Sequence, residues 1–120
     1  MANCIVKILE LRSGATAIAA VDPGIITVDP LDTIEYVNET LQDAILLIAQ
    51  AGILVGVNPG QGVPISPCRG GAGRRFTVDG AAASGTYEYQ MLVTLGSGKR
   101  MFAIGASTPR IIIRPMTETA

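Results

Sequence analysis

The chain has 120 residues, enough for one domain that buries about two-thirds of the surface its unfolded form exposes. It is 48% apolar and only 16% charged, which excludes a disordered chain and leaves little polar cover for its surface. A net charge of −1 excludes an overall pull toward nucleic acid, and no stretch reaches the ~18 apolar residues of a membrane helix.

Residues 4–11 read as a first strand, with Ile5, Val6, Ile8, Leu9 and Leu11 apolar and Lys7 and Glu10 expected to face out. Residues 12–23 are small and end in the turn signal Asp22-Pro23-Gly24. A short strand follows at 25–28. Asp29-Pro30-Leu31-Asp32 is a turn, because Pro30 sets φ for its second position and the flanking aspartates cap the backbone. Residues 33–37 alternate as a half-buried strand.

Residues 39–50 carry two readings. Leu41, Ala44, Ile45, Ile48 and Ala49 fall at helical spacing, with Asn38 as a possible cap. The run AILLI at 44–48 equally fits a buried strand. Residues 53–57 continue it or form another. The stretch 58–75, rich in glycine and proline, is expected to be one long loop, and loops of that length are often functional. A strand starts at 76–78. The clearest strand is 85–95, with Tyr87, Tyr89, Met91 and Val93 on one face. Gly96-Ser97-Gly98 turns the chain into a strand at 99–104, and a closing strand spans 110–114. Residues 116–120 form a tail. There is no internal repeat and no domain boundary. Seven to eight short strands with turns between them predict one all-β Greek-key sandwich over 1–120.

The charge is split along the chain. Residues 1–60 sum to −5 and residues 61–120 to +4. Either the halves interleave and cancel, or the molecule has an acidic and a basic face suited to head-to-tail contacts. Cys4 and Cys68 do not fix a compartment, and spacing alone leaves their pairing open. The opening residues, MANCIVK, have no basic n-region and no long apolar core, so no signal peptide is expected. Localisation is otherwise unknown.

Two segments resemble the cupredoxins. VDPLDTIEYVN at 28–38 is similar to that family's early turn and strand, and GTYEYQM at 85–91 is similar to the strand that delivers its copper thiolate. The resemblance spans roughly 25–115 and implies a cupredoxin-like sandwich; it also favours a strand at 44–48. It implies a histidine ligand shortly after Asn38, a thiolate at position 91, and a second histidine and a methionine in the loop that follows. The chain has no histidine, and Met91 stands at the thiolate position. A type-1 copper centre needs two imidazoles and a thiolate, so that site is excluded. Cu(I) on thiols and thioethers would have to come from Cys4, Cys68, Met91, Met101 or Met116, whose contexts show no ligand pattern; methionine is commonly core filler. No metal or other cofactor is expected.

Catalysis has few candidates. Asp29 with Asp32 and Glu35 with Glu39 are the nearest carboxylate pairs, and turn capping and a solvated strand face account for them better than general acid–base work. Cys68 has no histidine to activate it. GSGKR at 96–100 superficially matches a phosphate loop, but Val93 lacks the required glycine and Arg100 replaces the magnesium-binding hydroxyl. Asn38-Glu39-Thr40 is a formal glycosylation acceptor only in a secretory context. Arg69, Arg74 and Arg75 flank a glycine-rich stretch that could cradle an anion with backbone N–H groups and guanidinium forks. The reading is therefore a non-enzymatic, metal-free structural or protein-interaction module. Its partner is expected to be a copy of itself or another protein of an assembly such as a shell or virion surface. An anion-binding domain built on Arg69, Arg74 and Arg75 is the alternative.

Overall fold

The computed structural model describes residues 2–68, 71–104 and 108–115, and these form ten strands in two sheets with no helix among them. The strands are β1 (Asn3–Ser13), β2 (Thr16–Asp22), β3 (Ile25–Val28), β4 (Thr33–Asn38), β5 (Ala44–Ile48), β6 (Val63–Ile65), β7 (Arg74–Thr77), β8 (Gly85–Thr94), β9 (Arg100–Phe102) and β10 (Arg110–Ile113). One sheet has the order β2-β1-β4-β7, and the other β3-β10-β8-β5-β6 with β9 also on β8. β1 runs parallel to β4, and β3 parallel to β10; the other named pairs are antiparallel. The chain changes sheet between β2 and β3, between β3 and β4, between β4 and β5, and on either side of β7, so the fold is a sandwich.

Alternation builds the core. Val6 and Ile8 of β1, Ile34 and Tyr36 of β4, Leu46 and Ile48 of β5, Met91 and Val93 of β8, and Ile111 and Ile113 of β10 are all buried. Each such side chain contributes about 1.5–3 kcal/mol when withdrawn from water. Tyr36 packs edge-on against both Phe76 and Tyr89, with ring centroids 6.0 and 5.9 Å away. Burial pushes the Tyr89 hydroxyl up to about 12. The tight turn before β4 places Leu31 at φ 74°, and Asp32 closes it by accepting from Asp29 N at 2.9 Å. Asp32 also accepts from Ala2 N at 2.9 Å, which ties down the start of β1. The Asp32 carboxyl is held below its ordinary value, chiefly by the Asp29 amide.

Several expectations need revision. The count is ten strands, because the small residues at 16–22 form β2 and because a strand lies inside 58–75. That stretch is not one loop: Val63–Ile65 pairs with β5, and Pro67 bridges to Asn38. Residues 44–48 are a strand, so partners on both sides decide against helical spacing. Residues 53–57 are not a regular strand; Leu54 makes an isolated bridge to Val78. Glu10 lies on the inward side with Val6 and Ile8, at the strand end, where it reaches Gly96 N at 2.8 Å. Cys4 and Cys68 are unpaired. Cys4 sits opposite Ile34, four positions from Asn38, against which Cys68 rests; four strand residues span about 13 Å, too far for a disulfide. The tail at 116–120 lies outside the described residues.

Candidate functional site

The end of the sandwich where the resemblance implies copper is held together by an amide. Asn38, the last residue of β4, is fully buried. Its Oδ1 accepts from Thr40 N at 2.9 Å and Thr40 Oγ1 at 2.6 Å. Its Nδ2 donates to Gln42 O and Ile65 O, both at 2.8 Å. The turn at 38–42 is thus closed and joined to β6 by one side chain with every polar atom satisfied. Cys68 N donates to Asn38 O at 2.9 Å, and Asn38 N donates to the Cys68 sulfur at 3.1 Å.

Met91 and Met101, two of the other expected ligand positions, are absorbed into strands. Met91 is fully buried opposite Leu46, and β8 runs on for three residues beyond it, paired with β5 and β9. The chain then reverses at once, because Gly98, at φ 90°, donates to Leu95 O at 2.8 Å. Met101 points inward and its sulfur accepts from Ala19 N at 3.3 Å. Met116 lies outside the described residues. Among the described residues, no group of three or more His, Cys, Asp or Glu could hold a metal ion. Burial, and then the charge of Asp32, pushes the Cys4 thiol up, away from a thiolate.

Two of the basic loop's three arginines are described, and they point apart. Arg69 lies outside the described residues. Arg74 and Arg75 are consecutive on β7 and point to opposite faces. Arg74 Nη1 donates to Pro64 O at 2.7 Å, and its guanidinium lies 5.3 Å from the Phe76 ring centroid. Arg75 Nε donates to Glu35 Oε1 at 2.9 Å. Glu35 is only 7% exposed and also accepts from Gly73 N at 2.9 Å and Asn3 Nδ2 at 3.0 Å. These donors, the Gly73 amide first, lower its carboxyl to about 2. An added Cβ at Gly73 would run into the Tyr36 carbonyl, so only glycine lets the loop approach β4 this closely. The pairs Glu35–Arg75 and Asp29–Arg114 cross between the acidic and basic halves, so the halves interleave.

A surface feature that the sequence reading missed stands out instead. β1 and β2 pair Leu11 with Ile18, β5 and β8 pair Ile45 with Leu92, and β8 and β9 pair Leu92 with Phe102. The two sheets meet where Ala20 bridges Ile104 in parallel, with Val21 N donating to Ile104 O at 3.1 Å. Ile18 and Phe102 lie two residues before that bridge, on the same outward side. Leu11, Ile18, Phe102, Leu92 and Ile45 therefore form one apolar row around the closed side of the sandwich. Leu9 and Ile104 lie beside it, on either side of the buried Ala20. Leu11 is 48%, Phe102 50% and Ile104 48% exposed. The signal was present: Leu9 and Leu11 in β1, and Leu92 in β8, occupy outward positions where alternation calls for polar residues.

No protein-family model matches the chain, and no curated protein matches it. Solved structures do. Amicyanin from Paracoccus versutus (Thiobacillus versutus) superposes with a TM-score of 0.53 at 12% identity, covering 93% of this chain and 81% of that one. A pseudoazurin from Sinorhizobium meliloti gives 0.51 at 19% identity, covering 96% of this chain and 76% of that one. Blue copper oxidase from Nitrosomonas europaea gives 0.54 at 19% identity, with 98% of this chain matching 40% of the oxidase. At such identities the likeness is one of fold: the chain is a cupredoxin-like β-sandwich.

Proposed function

We propose that this cupredoxin-like sandwich is a non-enzymatic, metal-free interaction module whose partner is a second copy of itself. The apolar band around its closed side is the observation that carries this reading. Five adjoining strands at about 4.8 Å spacing make a row roughly 20 Å long, and apolar patches of that scale mark interaction sites. A stable interface needs about 800 Å² from each partner, so the band would be its core and the polar residues along its margins the rim.

Self-association is favoured over an unrelated partner by the charges at one margin. Lys7 and Asp22 are register partners on the same outward side as Leu9 and Ala20, one outward position further along. A two-fold contact would set Lys7 of one copy against Asp22 of the other. A subunit of a shell or virion surface is the larger form of the same reading. The alternative, an anion site on Arg69, Arg74 and Arg75, has less support, because Arg74 and Arg75 diverge and each already has a partner.

Sedimentation velocity tests the proposal on the wild type and on the double variant Leu11→Lys, Phe102→Lys. The wild type should associate at micromolar concentration. The variant should sediment as a monomer and melt cooperatively at the temperature the wild type shows when dilute, since both side chains are half exposed. A wild type that stays monomeric, or a variant that associates equally well, would overturn it.

A further inference from the structure

We infer that the cleft between the β1–β2 and β8–β9 turns is a binding site for a small phosphate- or sulfate-bearing organic molecule. The cleft has a volume of about 330 Å³ and is lined by Arg12, Thr16, Ala17, Leu95, Ser97 and Lys99, with Ala15 at the tip of the first turn. That volume is in the range of small-ligand sites, which start at about 300 Å³, and exceeds what a bare oxyanion fills. It lies at the opposite end of β1 from Asn3 and apart from the Arg74–Arg75 strand.

Its two cations differ in how they are held. Arg12 is oriented by Glu10, whose Oε2 accepts from Arg12 Nε at 3.0 Å and pairs with Nη2 at 2.9 Å. The other oxygen of Glu10 accepts from Gly96 N at 2.8 Å, so the carboxylate is occupied and links the two turns. Neither of the hydrogen bonds that fix the guanidinium uses Nη1. Lys99 has no carboxylate within 4.0 Å among the described residues. Its backbone N–H leans on Ser97 Oγ at 3.4 Å, and Ser97 lines the cleft. Two cations against one engaged carboxylate leave the site net positive, with the hydroxyls of Ser97 and Thr16 as further donors. Ala15, Ala17 and Leu95 supply an apolar wall for the carbon body of the ligand. In the GSGKR segment Gly98, at φ 90°, serves the turn, and Gly96 lies beside the Arg12 guanidinium, where an added Cβ would be in ordinary contact at 3.4 Å from Nη2.

The test is a titration of the full-length, isotope-labelled protein with glycerol 3-phosphate, followed by amide NMR, with sodium chloride at matched ionic strength as control. Saturable shifts are expected at Arg12, Thr16, Ser97, Gly98 and Lys99 in the millimolar range, with Arg74 and Arg75 unmoved. Lys99→Gln should weaken binding about fivefold, the loss of one partly exposed ion pair, and Arg12→Gln should weaken it in the same direction. Lys99 is exposed and makes no side-chain contact on which folding depends, so that variant keeps the test clean if Arg12→Gln unfolds. Inorganic phosphate should bind more weakly than the glycerol ester, because it leaves the apolar wall uncovered. Shifts that sodium chloride reproduces, shifts at Arg74 and Arg75 instead, or an unchanged affinity in Lys99→Gln would each overturn the assignment.

Discussion

Asn38 concentrates more of the fold's local logic than any other single side chain. Four hydrogen bonds of 2.6–2.8 Å and 2.9 Å converge on its buried amide and join the 38–42 turn to β6. Asn38→Ala removes the amide and leaves the carbonyls of Gln42 and Ile65 without that donor. Leaving buried polar groups unpaired costs about 1–3 kcal/mol each, so a loss of about 3 kcal/mol in urea unfolding is expected. A loss below about 1 kcal/mol would mean that water replaces the amide freely. The chain shows Asn38 followed by Thr40, but nothing in that order says the amide would face inward. That is decided by β4 ending inside the sandwich and by β6 arriving against it.

Strand pairing explains where the carboxylates go. Glu35 lies on the outward side of β4 between β1 and β7, and it takes donors from Asn3, Gly73 and Arg75 on three segments. Its carboxyl falls from an ordinary 4.5 to about 2. A group with a depressed folded value stabilises the fold above its unfolded value and loses that contribution as pH falls through the folded one. The wild-type urea midpoint should therefore drop between about pH 4.5 and about pH 2, and the lowered Asp32 carboxyl acts in the same direction. Glu35→Gln should be less stable at neutral pH and show a shallower decline across that window. An identical pH profile for the two proteins would count against the assignment. At this scale the sequence was informative about β8, where Tyr89, Met91 and Val93 are buried and Glu88 and Gln90 exposed as alternation requires. It was uninformative about β6, because a three-residue strand with a central proline carries no period to read and exists only because β5 supplies a partner.

For the whole molecule, the charge split along the chain is erased by topology, since β4 pairs with β7 and β3 with β10. The apolar band is the opposite case: its members are scattered over five strands and meet only because β2 and the end of β9 join the two sheets. If the band closes on a second copy, folding and association are linked and the melting temperature should rise with protein concentration. Calorimetry over a hundredfold concentration range checks this; a constant value across the range would speak for a monomer. The charge-reversing Lys7→Asp variant should weaken the association, and the combination with Asp22→Lys should restore part of it.

The sequence by itself determined that most of the chain alternates as short strands, that 28–38 and 85–91 follow a cupredoxin-like pattern, and that no type-1 copper centre can form on a chain without histidine. Those follow from local alternation and from residue chemistry, which need no partner to be read. Only the tertiary structure decided that 44–48 is a strand, that Arg74 and Arg75 diverge, that Arg12 and Lys99 face one cleft, and that an apolar row encircles the closed side. Each of these depends on which strand lies beside which, and pairing between distant segments is set by the packing of the whole core rather than by any window of residues.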